Sequence, residues 1–334
     1  MGLNLASVVE KKEISFDDLE HSKIAVDSSN MLFQFISSIR QQDGTPLMDT
    51  HGNVTSHLVG IFSRVTNLMS RKIKLCFVFD GKPPELKHGT KEEREHKKKV
   101  AEEKLKEAES DVEMLLYSKQ ASRLTPEIIK ESKDLISALG LPWIQAPSEA
   151  EAQASYMCKK GDVDYVASSD FDCLLYGAPK LLTNLTLSQR KRLPSGQTVK
   201  ISPYVIELKD VLKSLEISQE QLFILAILIG TDYNPKGIPG IGPKKALKLV
   251  KENKDYGKMF KELKADFDWK EVYETFKKMP LDKKYMLEWK NVDVDAVKKI
   301  LIDEHDFNPE RVEKTLSTIT KTKKEHGQKT LGDF

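Results

Sequence analysis

Three apolar runs in this chain each close on an acid. They are Lys23 to Asp27, Lys74 to Asp80, and Tyr165 onward to Asp170 and Asp172. Short runs rich in Val, Ile and Phe between polar residues read as buried strands. In an open parallel sheet the working crevice lies beyond the carboxyl ends of the strands. Three such strands side by side bring four carboxylates to one rim. Like charges at close range repel, and uncompensated burial is costly. A divalent cation resolves both. Oxygen donors without histidine or thiolate point to magnesium or manganese over zinc.

With 334 residues, 39% of them hydrophobic, the chain can bury a sizeable core. Its 53 basic and 51 acidic side chains leave a net charge of +2, which by itself does not announce nucleic acid. Acids committed to metal would leave the remaining surface more basic than that total. Cys76, Cys158 and Cys173 lie in or beside apolar stretches and form no Cys-x-x-Cys pair. Buried thiols in a reducing compartment are expected. The apolar run Leu222 to Ile229 is too short to span a bilayer, and the N-terminus lacks a basic-then-apolar signal. Ala6 stands where a myristoylation motif wants Ser or Thr. A soluble intracellular protein without a membrane partner is expected.

The first part alternates strand and helix. The strand Lys23–Asp27 precedes a helical pattern through Met31, Phe35 and Ile39, and a second pattern from Thr55 leads to the strand ending at Asp80. From Glu85 to about Lys119 Lys, Glu and Arg dominate, with a thin apolar stripe through Ala101, Leu105, Ala108, Val112 and Leu115. This insertion reads as a solvated helical excursion or as a charged arch over the rim. Beyond Thr125 a helix through Ile128, Leu135 and Leu139 is expected, then a strand Pro142–Gln145, a helix from Ser148 and the strand ending at Asp170. Lys180–Ile201 reads as a hairpin around Pro194-Ser195-Gly196, and from Glu207 onward the pattern is helical.

Ser148-Glu149-Ala150-Glu151 matches a capping box, Ser with Glu three positions on. A helix that starts just after a strand also puts both glutamates at the acidic rim. Asp170-Phe171-Asp172 places two acids on one side of an extended segment. Asp232 follows a strongly apolar helix and reads either as a turn residue or as another rim acid. Gly240-Ile241-Gly242 makes a tight hairpin, and Pro243 suits a first helical position. Lys244 and Lys245 then stand at a helix N-terminus, where phosphate is favoured, as binding to a DNA backbone requires. Lys87 and Arg94 are seven apart, two helical turns, and share a face. Facing the rim, they would stabilise charge on a phosphodiester.

Together these pieces resemble the structure-specific 5′ nuclease family, and within it the flap endonucleases of archaeal type. The resemblance rests on Val26-Asp27, Val78 to Pro84, Ala146 to Ala152, Ser169 to Asp172, and Gly230 to Tyr233 leading into Gly240 to Lys244, and it covers nearly the whole chain. It implies a PIN-like α/β fold: a mostly parallel central sheet flanked by helices, with a helical arch and a helix–two-turn–helix element. It implies one nuclease domain over 1–320, with an N-terminal part to about 100, the arch at about 85–120, an intermediate part at about 122–255 and a helical part at 256–320. The tail 321–334 would follow. It implies two Mg2+ ions, replaceable by Mn2+, with Asp80 and Glu151 on one, Asp170 and Asp172 on the other, and Asp27, Glu149 and Asp232 acting partly through water. Lys87 and Arg94 fall where the family keeps its catalytic basic residues. Gly240 and Gly242, with Lys244 and Lys245, match the element that grips duplex DNA with a K+ ion.

The implied activity is cutting of 5′ flaps, with 5′–3′ exonuclease action, in Okazaki-fragment maturation and base excision repair. The expected partners are branched DNA and a sliding clamp of the PCNA type. A monomer is expected, cytoplasmic in an archaeon and nuclear in a eukaryote. Three places depart from the family pattern, one of them the N-terminus Gly2-Leu3-Asn4-Leu5, which matches only loosely. Phe33 replaces the tyrosine that stacks on a base, keeping the aromatic face without the hydroxyl. Gln328, Leu331 and Phe334 match a clamp-binding peptide that ends before its second aromatic. Two other classes compete. A phosphohydrolase built on Asp170-x-Asp172 would want Thr or Val where Leu174 stands. A non-catalytic, clamp-tethered DNA scaffold would not need so many acids at one rim.

Overall fold

The computed structural model describes residues 9–41, 43–107, 116, 122–186, 190–192 and 198–327. The clamp-like peptide Gln328, Leu331 and Phe334 lies outside the described residues. So do Ala108, Val112 and Leu115 of the arch stripe and the hairpin tip Pro194-Ser195-Gly196.

The strands in chain order are β1 (Lys12–Glu13), β2 (Lys23–Asp27), β3 (Lys74–Phe79), β4 (Trp143–Gln145), β5 (Tyr165–Ala167), β6 (Lys180–Thr183), β7 (Arg190–Arg192), β8 (Thr198–Lys200) and β9 (Tyr204–Glu207). Seven of them form one sheet in the order β1-β9-β6-β5-β2-β3-β4. The five from β6 to β4 run parallel, while β9 lies antiparallel to β6 and β1 to β9. The expected mostly parallel α/β sheet is thus present.

Strand alternation sorts the side chains into two cores. Ala25, Cys76, Val78, Ile144, Val166 and Leu181 face one side. Ile24, Val26, Leu75, Phe77, Phe79 and Leu182 face the other. A strand buried on both faces has no polar position to spare, so its polar residues fall at its ends. That places the acids. In register, Asp27 pairs with Val78 and Val26 with Ala167, so Asp27, Asp80 and Asp170 emerge at one edge.

On the second face lie helix α1 (Ser28–Ser38), the run α2 (Ser56–Gly60) and α3 (Thr66–Ser70) joined by a π turn over Ile61–Val65, and α5 (Pro126–Ala138), while α4 (His88–Glu107), the arch, intervenes in the chain between β3 and α5. Thr125 caps α5 by accepting the Ile128 N–H, with Pro126 at the first position. The first face carries α6 (Ala150–Lys160), the short α7 (Asp172–Leu175), α8 (Leu208–Leu215) and α9 (Gln219–Ile229), which is apolar all round and buried. The helices α10 (Pro243–Glu252), α11 (Tyr256–Glu262) and α12 (Trp269–Lys277) extend this core. The chain then crosses over without helix, and Trp289 donates its indole N–H to the Leu75 carbonyl of β3 at 2.8 Å. Finally α13 (Val294–Lys298) and α14 (Pro309–Gly327) reach the second core.

Four local expectations are corrected. Lys180–Ile201 is not one hairpin: β6 belongs to the main sheet and pairs with β9, while β7 and β8 form a separate two-stranded ribbon. The helical pattern after Glu207 is broken between Lys277 and Val294. Ser148 builds no capping box. Helix α6 starts at Ala150 with Glu149 as its N-cap, and the Ser148 hydroxyl donates to the Lys82 carbonyl at 2.8 Å. There the segment after Asp80 runs against 146–148, with Gly81 N–H on Ser148 O at 2.6 Å and Lys82 N–H on Pro147 O at 3.1 Å. A Cβ on Gly81 would stand 2.1 Å from the Ala146 carbonyl oxygen, so only glycine admits this approach. Lastly, Asp170-Phe171-Asp172 is not extended. Phe171 is α-helical in its backbone, Asp172 opens α7, and Asp170 Oδ1 accepts the Asp172 N–H at 3.1 Å. The two acids meet through a turn, and Phe171 is buried.

Candidate active site

Several rim acids sit where a helix or turn begins. Asp27 is both the last residue of β2 and the N-cap of α1: its Oδ1 accepts the Asn30 N–H at 3.0 Å. Its Oδ2 accepts the Ser168 hydroxyl at 3.0 Å. Asp80 follows β3, and its Oδ1 accepts the Ala150 N–H at 2.7 Å. Asp80 thereby supplies the capping oxygen that Ser148 was expected to give α6. Asp232 sits in the turn after α9. There the Asn234 side chain accepts the Thr231 N–H at 3.2 Å and hydroxyl at 2.7 Å, and donates to the Ile227 carbonyl at 2.7 Å.

A cleft of about 1260 Å³ opens on this edge. It is lined by Asp27, Asp80, Glu149, Glu151, Asp170 and Asp232, together with Phe33, Lys87 and Arg94. Asp172 is buried and does not line it. Phe33 projects from α1 and is 41% exposed, free to offer its ring. The Lys87 ammonium lies 2.5 Å from Glu149 Oε2 and 3.3 Å from Asp232 Oδ2. Arg94, two turns further on, places Nη2 2.6 Å from Asp232 Oδ1. The shared face expected of Lys87 and Arg94 is therefore turned to the rim. Lys97, Ala101 and Lys104, at helical spacing on α4, line the same cleft. That stripe was legible as a period but hidden among the other lysines.

The electrostatics are those of an overcrowded acid cluster. Burial, then the Asp80 charge, push the Asp27 carboxyl up to about 7 against its hydrogen bonds from Asn30 and Ser168. Burial and the neighbouring Asp27, Asp80 and Glu149 raise Glu151 well above the usual carboxylate range. Burial and the charges of Asp170 and Asp232 do the same to Asp172. Glu149 is raised by burial, with Lys87 opposing. Burial works against the Lys87 ammonium, yet Glu149, Glu151 and Asp232 hold it above an ordinary lysine. Such a cluster is built to gain cations.

The residues fit a divalent metal. Asp80, Glu149 and Glu151 each offer an oxygen, and these atoms lie within 4.8 Å of one another. Asp172 Oδ1 is buried without any hydrogen-bond partner, a cost of several kcal/mol for a lone charge unless a cation meets it. Carboxylates alone make a donor set for hard, oxygen-loving ions.

The glycine hairpin stands apart from this cleft. Gly240 takes φ +76°, Gly242 is the N-cap of α10 with no side chain capping it, and both face open space. Lys244 and Lys245 are exposed in the first turn. Sequence reasoning missed the uncharged residues that brace the acids: Asn30, Ser168 and Asn234. Only the Asp27–Asn30 spacing, an N-cap interval, carried a signal.

Comparison with known proteins gives a family. The XPG N-terminal domain matches residues 2–101 and the XPG I-region residues 140–232. Flap endonuclease 1 of Hyperthermus butylicus is 46% identical over 336 residues, covering 98% of this chain and 96% of the relative. Flap endonuclease 1 of Pyrococcus horikoshii is 45% identical over 335 residues, covering 99% and 97%. The solved flap endonuclease-1 from Methanococcus jannaschii superposes with a TM-score of 0.79 at 40% identity, covering 97% of this chain and 100% of that one. The catalytic core of Rad2 in complex with DNA substrate shares the fold, with a TM-score of 0.72 at 23% identity over 96% and 100% of the two chains. Among the described residues no helix is long and apolar enough to cross a membrane. With sequence identity sustained over almost its full length, the chain belongs to the flap endonuclease family.

Proposed function

We propose that this chain is a metal-dependent, structure-specific 5′ flap endonuclease with 5′–3′ exonuclease activity, acting in Okazaki-fragment maturation and base excision repair. One observation carries the reading. The arch residues Lys87 and Arg94 converge on Glu149 and Asp232 in the cleft lined by the rim acids. Acids to hold cations and cations to hold phosphate thus share one open cleft, as hydrolysis of a polyanion requires.

Asp80 and Glu151 would hold one Mg2+, and Asp170 and Asp172 the other, with Asp27, Glu149 and Asp232 acting through bound water. Mn2+ would substitute. The ions, when bound, activate water and stabilise the leaving oxygen of an in-line displacement at phosphorus. Lys87 and Arg94 turn from the carboxylates to the non-bridging phosphate oxygens and neutralise the charge that builds there. Phe33 stacks on the base beside the cut. The backbone N–H groups at Gly240 and Gly242, with Lys244 and Lys245 and a K+ ion, grip the duplex phosphates without reading bases. The tail residues Gln328, Leu331 and Phe334 tether the enzyme, as a monomer, to a sliding clamp.

The test is a labelled double-flap DNA with a one-nucleotide 3′ flap, with and without Mg2+, for the wild type and Asp172→Ala. Metal-dependent release of the 5′ flap by the wild type, with binding but no cutting by the variant, is expected. Binding without cutting by both would leave a DNA-binding scaffold.

A further inference from the structure

Asp27 and Asp170 reach the rim from different strands, yet one hydroxyl touches both residues. Ser168 follows β5 and is buried. Its Oγ donates to Asp27 Oδ2 at 3.0 Å and accepts the Asp170 N–H at 3.1 Å. The Asp170 amide can only donate, so the single hydroxyl proton is committed to Asp27. The main chain of Ser168 is fixed as well, its N–H on the Leu182 carbonyl of β6 at 3.2 Å. The remaining Asp27 oxygen takes the Asn30 N–H at 3.0 Å, so both carboxylate oxygens are oriented. A second tie runs alongside, from the Ser169 N–H to Asn30 Oδ1 at 3.2 Å. A residue that merely filled this space would need neither bond. Ser168 instead joins the end of β2 to the turn after β5 through one oxygen.

We propose that Ser168 is a positioning residue: it sets the spacing and orientation of Asp27 relative to Asp170, and through them the affinity of the rim for divalent cations. Partners that orient ligands in this way typically govern metal affinity by about 10–100-fold. Ser168 does not touch the phosphodiester, so the chemical step at saturating metal does not depend on it. The inference rests on the reading of the rim as a metal centre.

The test is Mn2+ uptake by the DNA-free full chain, followed through the electron paramagnetic resonance of the free ion, beside flap cutting across a Mg2+ titration. Ser168→Ala is expected to weaken Mn2+ binding about 10-fold and to raise the half-saturating Mg2+ of cutting by the same factor. Its kcat at saturating Mg2+ should stay within about threefold of wild type, since metal restores what the hydroxyl held. Ser168→Thr, which keeps the hydroxyl, should recover both values. If the alanine chain does not fold by circular dichroism, Ser168→Cys keeps the volume with a weak donor and takes its place. Metal affinity equal to wild type in the folded variant overturns the inference. So does a fall in kcat with affinity unchanged. A wild-type chain that takes up no Mn2+ would instead sink the metal centre, and the inference with it.

Discussion

Asp80 caps the helix that begins at Ala150: its Oδ1 accepts the Ala150 N–H at 2.7 Å, across 70 positions of sequence. The same carboxylate adds to the repulsion felt by Asp27 and Glu151. One side chain therefore both fastens the site and crowds it.

These two roles separate on substitution. Asp80→Asn keeps the accepting oxygen and removes the charge. Asp80→Ala loses the cap as well, a cost of about 1 kcal/mol. In EDTA, the asparagine variant should melt about 2–4 °C above wild type and the alanine variant below the asparagine one. Both should stop cutting. An asparagine variant that melts below wild type in EDTA would refute the crowding.

Lys87 stands where a metal would relieve the acids. Its Nζ pairs with the buried Glu149 at 2.5 Å, and its own side chain is 20% exposed. Lys87→Ala leaves that charge unpaired, which should cost the metal-free protein about 2–4 kcal/mol. Mg2+ should then raise the melting temperature more in the variant than in the wild type. Cutting should fall by about 10²–10³-fold, mostly in kcat. Equal metal-induced shifts would show that the ammonium carries no such load.

The acid cluster also fixes a pH dependence. Asp27 titrates near 7 in the folded chain, with Glu151 and Asp172 raised in the same direction. Unfolded, such carboxyls titrate near 4. Between about pH 4 and pH 7 the folded chain binds more protons than the unfolded one, so stability falls as pH rises. Asp49, held well below the usual range by its hydrogen bonds against burial, loses its contribution only at more acid pH. In EDTA the chain should therefore melt higher at pH 5 than at pH 8. Saturating Mg2+ should flatten or reverse that order, because the ions favour the charged carboxylates. A melting temperature in EDTA that climbs from pH 5 to pH 8 would contradict it.

At the far element, Lys244→Ala and Lys245→Ala should weaken DNA binding without altering cutting of bound substrate. Each lysine on a phosphate contributes about one unit to the slope of log affinity against log salt. The double variant should lose about two units of slope, equally for unrelated sequences. A loss confined to one sequence would mean base reading instead.

The rim was legible because strands buried on both faces leave polar residues only at their ends, so the acids at Asp27, Asp80 and Asp170 marked those ends. The charged stretch was legible as a helix, but its composition suited a solvated excursion as well as an arch; only the ion pairs of Lys87 with Glu149 and of Arg94 with Asp232 turn it to the rim. Ser148 was misread because its four-residue signature is local, whereas the hydroxyl's real partner, the Lys82 carbonyl, lies 66 positions away. Asp170-Phe171-Asp172 was misread because a three-residue pattern does not distinguish a strand end from a turn. Ser168 and Asn234 gave no signal at all: a neutral hydroxyl or amide shows its use only once its neighbours are in place.

The rim acids come from points as far apart as Asp27 and Asp232, and Arg94 meets Asp232 across 138 positions. The closing bond from Trp289 to Leu75 spans 214. Contacts of such long range form late. A chain still leaving the ribosome thus carries an incomplete rim until its own residue 232 has emerged.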